Sequence, residues 1–201
     1  MTDPRESKGP SQFTTRVNSQ AGSILTLDDP GDWERATRGK IAEHPTGAIA
    51  GPLGGIAWNT ADFDFMREQE QSPDSVHPSL WRHGRLNAVH GLFEVAPGVW
   101  QCRGYDLSNI TFIKGKNGWI VIDPLTTAVT AAACLELANQ HLGARPVTAV
   151  LYTHSHADHY GGILGVTTRE DVEAGNVRIL APEGFLREAV SENLLAGPGM
   201  N

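Results

Sequence analysis

The sequence is poor in cysteine and in positive charge, and it lacks any long apolar run. Only Cys102 and Cys134 are present among 201 residues. They lie far apart and form no metal-type pair, and nothing in their spacing supports a disulfide. Each is expected to be a small buried hydrophobe. The first twenty residues mix charges with Pro and Ser, which is not the pattern of a secretory leader. No stretch is long and apolar enough to span a bilayer, so no stable membrane insertion is expected, and a cytoplasmic protein follows by default. Lys and Arg number 16 against 23 Asp and Glu, a formal charge of −7. That balance argues against nucleic acid and anionic membranes as partners. It leaves an anionic substrate open, because bound metal ions would dominate the charge of a site. Internal repeats and coiled-coil heptads are missing too.

What remains is ordinary globular composition, 40% hydrophobic and 19% charged, with enough apolar material for a sizeable core. Residues 1 to about 30 read as a loosely held arm. A short helix is expected at Trp33 to Glu43, ended by His44-Pro45. Gly51 to Gly55 is a loop, and Thr60 caps a helix that carries Phe63 and Met66. Ser72-Pro73-Asp74 and His77-Pro78 mark a linker, so residues 1–75 form an extension and 76–201 a domain. From His90 the texture changes. Leu92 to Val95 and Val99 to Arg103 read as a hairpin across Pro97-Gly98, and Asn109 to Lys114 with Gly118 to Asp123 as a second one. Thr126 or Thr127 starts a helix whose apolar face is Val129, Ala132, Leu135, Ala138 and Leu142, ended by Gly143. Pro146 to Tyr152 is a strand, Ile163 to Asp171 includes a short helix, Val177 to Ala181 is a buried strand and Glu183 to Leu195 a last helix. The order predicts an α/β (α+β) fold with helices laid on a sheet. No closing element follows that helix, where the chain runs out through Gly197 to Asn201.

Three of the eight histidines and an aspartate fall within His154 to His159, directly after the strand Val147 to Tyr152. In an extended segment residues two apart point the same way, so His154 and His156 can reach one ion together. Asp158 and His159 lie where the loop turns toward Gly161-Gly162 and can reach a second. Imidazole and carboxylate are suitable zinc ligands. The two glycines let the backbone fold tightly under the site. Packing explains four ligand-type residues at this spacing poorly.

The segment resembles the His-x-His-x-Asp-His motif of the metallo-β-lactamase superfamily. The flanks are more specific. His77 to Arg82, Gly91 to Val95, Arg103 to Asn109, Gly118 to Leu125 and Tyr152 to His156 resemble the alkyl sulfatase branch, over roughly Asp32 to Asn201. The resemblance implies the N-terminal part of an αββα sandwich behind an N-terminal extension. It implies two Zn2+ ions, the first held by His154 and His156 and the second by Asp158 and His159, with Asp158 also the catalytic candidate. Asp123 would orient the ligands rather than bind metal. Asp106 and Asn109 can approach the site, although local turn hydrogen bonding explains them as well. His77, His83 and His90 read as structural, and Tyr160 as packing.

The implied activity is hydrolysis of an alkyl sulfate, a small-molecule substrate, to alcohol and inorganic sulfate by a metal-activated hydroxide. Relatives of this type are much longer. Their remaining ligands, general acid and dimerisation region would lie beyond Asn201, so the sequence reads as a fragment of an enzyme that is a homodimer when complete, and as inactive and poorly soluble alone. Two other readings stand beside it: a thioesterase, lactonase or phosphodiesterase of the same superfamily, or a truncated metal-binding product with no activity.

Overall fold

A computed structural model describes residues 8–195. The ending through Gly197 to Asn201 lies outside the described residues. The chain divides into two compact units. One holds the chain up to Thr37 together with Asp62–Val89, and the other holds Arg38–Ala61 together with the chain from His90 onward.

The first unit is helical. The expected loose arm is a helix, α1 (Gln12–Ile24), because the Ser11 hydroxyl accepts from the Thr14 amide and caps it. α2 is Pro30–Thr37. The helix expected to run on to Glu43 stops there because Gly39 takes a left-handed φ of 74°. α3 is Asp64–Glu68, preceded by a 3-10 turn at Thr60–Phe63. The stretch taken for a linker contains α4 (Pro78–Asn87), with His77 as its cap and Pro78 in its first turn. Arg82 ties this unit together. It donates to the carbonyls of Leu27 and Asp29 and pairs with Asp32 at 2.7 Å. Arg35 and then Arg82 hold the Asp32 carboxyl below its ordinary range by hydrogen bonding to its charged form.

The second unit is built on a seven-stranded sheet in the order β1-β4-β5-β6-β7-β8-β9. Its strands are β1 (Lys40–Ala42), β4 (Gly91–Ala96), β5 (Val99–Arg103), β6 (Ile110–Lys114), β7 (Trp119–Ile122), β8 (Val147–Leu151) and β9 (Arg178–Leu180). A separate hairpin pairs β2 (Ala48–Ala50) with β3 (Ile56–Asn59) around the expected glycine loop. Both hairpins read from the sequence form as antiparallel pairs. β7, β8 and β9 are parallel, since helical connections return the chain to the same end of the sheet. Those connections are α5 (Ala128–Leu142) and, after two 3-10 turns, α6 (Arg169–Glu173). α7 (Phe185–Leu195) follows β9. No helix among the described residues is long and apolar enough to cross a membrane.

α5 begins after Thr127 and ends at Gly143 as its caps require. Of the expected face, Ala138 is buried and Val129, Leu135 and Leu142 pack partly buried against the core. Thr130, Ala131, Cys134, Leu137 and Ala138 are buried, while Ala132 is exposed. The helix is apolar nearly all round, so periodicity does not single out one stripe. Packing selects the face, which joins Leu92, Cys102, Ile110, Phe112 and Val121 in one core. The two cysteines are neighbours in this core as free thiols, Cys102 Sγ lying 3.7 Å from the Cys134 carbonyl. Burial pushes the Cys134 thiol up. β9 is not the buried strand expected. Only Val177 before it is buried, and Ile179 and Leu180 are exposed, because β9 is the last strand in the sheet order.

Trp119 anchors β7 to α5. It is fully buried, lies edge-on to Trp100 and Phe112 at 5.7 and 6.0 Å, and donates its indole N–H to Asn139 at 2.8 Å. Replacing Trp119 with Ala leaves a large void and leaves the Asn139 carbonyl with the Arg145 amide as its remaining donor. A loss of about 3–5 kcal/mol is expected, measured as a lower urea midpoint by far-UV circular dichroism.

Candidate metal centre

β7 and β8 are adjacent and parallel, so the loops after them emerge at the same edge of the sheet. Asp123 lies just after β7, and Thr153 to His159 just after β8. The Asp123 amide donates to the Leu151 carbonyl at 2.9 Å and carries the pairing one step beyond the strand. The backbone then turns sharply. Asp123 and Leu125 adopt left-handed φ values of 54° and 63° around Pro124, and the Leu125 amide reaches back to the Asp123 carbonyl at 2.8 Å. Such conformations cost about 1–3 kcal/mol each and persist only where the surroundings hold them.

Two supports hold this turn. Gly161 and Gly162 press against it, and a Cβ on Gly162 would stand 2.0 Å from the Pro124 carbonyl oxygen. One on Gly161 would stand 2.3 Å from that of Thr126. The glycines therefore serve close approach, as expected from the sequence, rather than an unusual φ. The second support is Asp106, a buried carboxylate that accepts from the Leu107 and Thr126 amides and from the Thr126 and Thr130 hydroxyls. Its role is to tie the β5–β6 loop to the start of α5. Asn109 is exposed.

The ligand-type side chains converge. The His154 ring lies 4.6 Å from that of His156 and 4.0 Å from that of His159, centroid to centroid. A 3-10 turn over Ala157–His159 brings His159 back under His154. Among the described residues no group of three or more His, Cys, Asp or Glu side chains stands in metal-holding geometry. The donors form one wall rather than a closed cage.

Hydrogen bonds determine which ring nitrogens face that wall. Asp123 only accepts, and it takes the Thr153 amide at 2.8 Å, the Thr153 hydroxyl at 2.7 Å and His159 Nδ1 at 2.9 Å. His159 therefore carries its proton on Nδ1. The single Thr153 hydroxyl hydrogen is committed to Asp123, so the 2.9 Å contact from Thr153 Oγ1 to His154 Nδ1 has His154 as donor. Asp123 thus sets the tautomer of two histidines, one of them through Thr153, and leaves Nε2 of each as the lone-pair nitrogen.

That assignment tests whether a metal fits. His159 Nε2 stands 3.3 Å from Asp158 Oδ2. With His159 neutral both are acceptors, and a shared cation, a second ring proton or a metal ion, would bridge them. Zinc bonds of about 2.0–2.2 Å at a tetrahedral angle place two ligand atoms about 3.3–3.5 Å apart. The Asp158–His159 pair fits a zinc-type ion in chemistry and spacing.

The surroundings absorb the other candidates. Tyr160 packs against Tyr152 and Phe185, and its hydroxyl accepts from Asn193 at 3.0 Å. Burial pushes the Tyr152 phenol up to about 12, so it stays protonated. His90 is buried edge-on to Tyr105 at 5.7 Å. Three residues near the site carried no assignment in sequence. Thr153 relays between Asp123 and His154, Ser108 donates to the Asp158 carbonyl, and Glu192 of α7 meets His156 Nε2 at 3.3 Å. Thr153 was legible only as a neighbour of the motif; nothing local marks Ser108 or Glu192.

Known proteins resemble the chain in sequence and fold. Residues 103–198 match the Metallo-beta-lactamase superfamily, and the chain carries that fold. Over most of its length the chain is similar to alkylsulfatases. It is 45% identical over 188 residues to a linear primary-alkylsulfatase of Pseudomonas sp., covering 94% of this chain and 28% of that protein. An alkyl/aryl-sulfatase of Saccharomyces cerevisiae is 44% identical, over 94% of this chain and 29% of that protein. The solved structure of the stereoselective inverting sec-alkylsulfatase Pisa1 from Pseudomonas sp. superposes with a TM-score of 0.89 at 44% identity, over 97% of this chain and 30% of that one. The chain spans less than a third of the length of these relatives.

Gly162→Ala is expected to disrupt the turn that carries Asp123, because the new methyl collides with backbone. Overpacking of this kind costs about 1–3 kcal/mol or more. The check is a lower thermal midpoint, with loss of amide exchange protection at Gly162 and Leu125.

Proposed function

We propose that this chain contributes one wall of the active site of a zinc-dependent alkyl sulfatase. The observation that carries the reading is 43–45% identity to alkylsulfatases of three kinds across 94–97% of the chain, the metal loop included. His154 and His156 would hold one zinc ion, and Asp158 and His159 the other. Two zinc ions bound there would lower the pKa of a water toward neutrality and orient the sulfate ester.

The chain's own residues give that chemistry its geometry. Asp123 keeps His154 and His159 in the tautomer that presents Nε2, directly and through Thr153. Ser108 fixes the backbone of Asp158 from the opposite loop. Partners of this kind orient ligands and raise their basicity. The net reaction is addition of water to an alkyl sulfate, giving alcohol, inorganic sulfate and a proton. One structural relative is described as inverting. Inversion at a secondary carbon requires the new oxygen to bond to carbon while the C–O bond to sulfate breaks and sulfate leaves with the electron pair. We extend that course to this chain. Completion of the coordination, and a homodimeric state, are assigned to the whole protein. Residues 1–201 alone are expected to turn over no substrate.

Two measurements test the reading. The complete protein supplied with zinc should release sulfate from a primary or secondary alkyl sulfate, and in 18O-labelled water the label should enter the alcohol. Label in the sulfate would overturn the carbon course. Turnover of a thioester, lactone or phosphodiester with none of alkyl sulfates would overturn the substrate class. Asp123→Asn keeps a residue that tolerates positive φ but presents an amide to donors. It should weaken zinc binding about 10- to 100-fold in a chelator competition, with the fold retained.

A further inference from the structure

We infer that Leu107 is the side chain on which the alkyl group of the substrate rests, and so a determinant of how strongly that group is held. The inference rests on the alkyl sulfatase reading and adds to it an apolar contact from the β5–β6 loop.

The position follows from the sheet. β6 runs antiparallel to β7 with Thr111 opposite Ile122, so β6 begins at the edge where β7 ends. β8 is parallel to β7 and ends at that edge as well. The loop between Arg103 and Ile110 therefore emerges beside the loops that carry Asp123 and His154 to His159. Ser108 joins this loop to the metal loop by donating to the Asp158 carbonyl. Leu107 is one residue from that bond.

Both neighbours of Leu107 are tied down. Asp106 is buried and accepts from the Leu107 amide at 2.7 Å and from the Thr126 and Thr130 hydroxyls at 2.5 Å each. Ser108 is held by Asp158. The side chains on either side are thus drawn onto the protein, and Leu107 between them is left 76% exposed. A single exposed leucine is ordinary on a protein surface. This one stands on a loop pinned at both neighbours, at the edge of the sheet that carries the ligand-type residues.

The chemistry of the substrate calls for such a contact. An alkyl sulfate has a charged head, which the proposed metal ions would take, and a chain that gains by leaving water. His154, His156, Asp158, His159 and Ser108 are all polar and give the chain no apolar partner. Leu107 supplies one beside them. Leu164 is a second exposed leucine in the connection after β8, at 68%. It lies on the 3-10 turn Ile163–Gly165, where a Cβ on Gly165 would stand 2.0 Å from the Ala128 carbonyl oxygen of α5. That turn sits against the helix, and Leu164 serves as the comparison residue.

The test uses the complete zinc-loaded protein and octanesulfonate, which carries the head and chain of the substrate but has a C–S bond in place of the ester oxygen and is not hydrolysed. By calorimetric titration Leu107→Ala should bind it about 10-fold more weakly than the wild type. Leu107→Met, which keeps the apolar volume, and Leu164→Ala should stay within about twofold. Inorganic sulfate, a head without a chain, should bind all of these proteins alike. With 13C-labelled leucine methyls, the Leu107 methyls should show nuclear Overhauser contacts to the octyl chain. Unchanged octanesulfonate affinity in Leu107→Ala overturns the inference. So does a parallel loss for inorganic sulfate, which would mean that the loop only shapes the metal wall. A complete protein that hydrolyses another ester and no alkyl sulfate overturns the functional reading together with this one. A protein that hydrolyses alkyl sulfates and binds octanesulfonate without contact to Leu107 overturns this inference alone.

Discussion

Asp123 sits where two parallel strands end, and its two carboxylate oxygens take three hydrogens, from the Thr153 amide, the Thr153 hydroxyl and His159 Nδ1. Those bonds orient the loop after β8, fix where the protons of two histidines reside and determine which nitrogens point outward. Much of the second unit serves to keep that carboxylate in place. Its backbone is left-handed, which opposes a residue with a Cβ. The Leu151 pairing on one side and the glycine contact on the other hold it there. Asp106 does similar work one layer out, by fixing the start of α5 beneath the turn.

The result is a site whose polarity is arranged before any ligand arrives. Imidazole rings can present either nitrogen, and an unconstrained loop of three histidines would sample many combinations. Here outer hydrogen bonds remove that freedom for His154 and His159, and rigid elements carry them. Holding ligands in one geometry in advance lowers the cost of ordering them on binding. The exposed edges of His154 and His156 keep the wall open to solvent. A wall of this kind suits one side of a cleft, in line with the small share of its relatives' length that the chain spans.

Sequence patterns captured the local features well. The two hairpins from Leu92 onward, the Thr127 cap, the Gly143 stop and the strand before the metal loop each depend on residues within a few positions, and each formed. The failures have a common cause as well. The helix from Trp33 did not continue because Gly39 takes a left-handed backbone, and the α4 segment was hidden by a proline that sits in a helix's first turn as readily as in a linker. The buried face of α5 was placed only in part, with Ala132 exposed and Ala131, Cys134 and Leu137 buried instead, because a helix apolar nearly all round carries no stripe; the sheet beneath it chose the face. β9 looked buried because its residues are apolar, but its position at the end of the sheet order left it exposed.

The sequence by itself determined that four ligand-type side chains come after a strand within six residues, that Asp123 comes after a neighbouring strand, and through the flanking segments which superfamily they resemble. It could do so because strand alternation and motif spacing are short-range properties. Only the tertiary structure decided which nitrogens His154 and His159 present, that Thr153 links Asp123 to His154, and that Glu192 stands against His156. Those contacts span 30 or more residues. They exist because β7 pairs in parallel with β8 and because an aromatic cluster seats α7 beside the loop, and neither pairing leaves a mark on the local sequence.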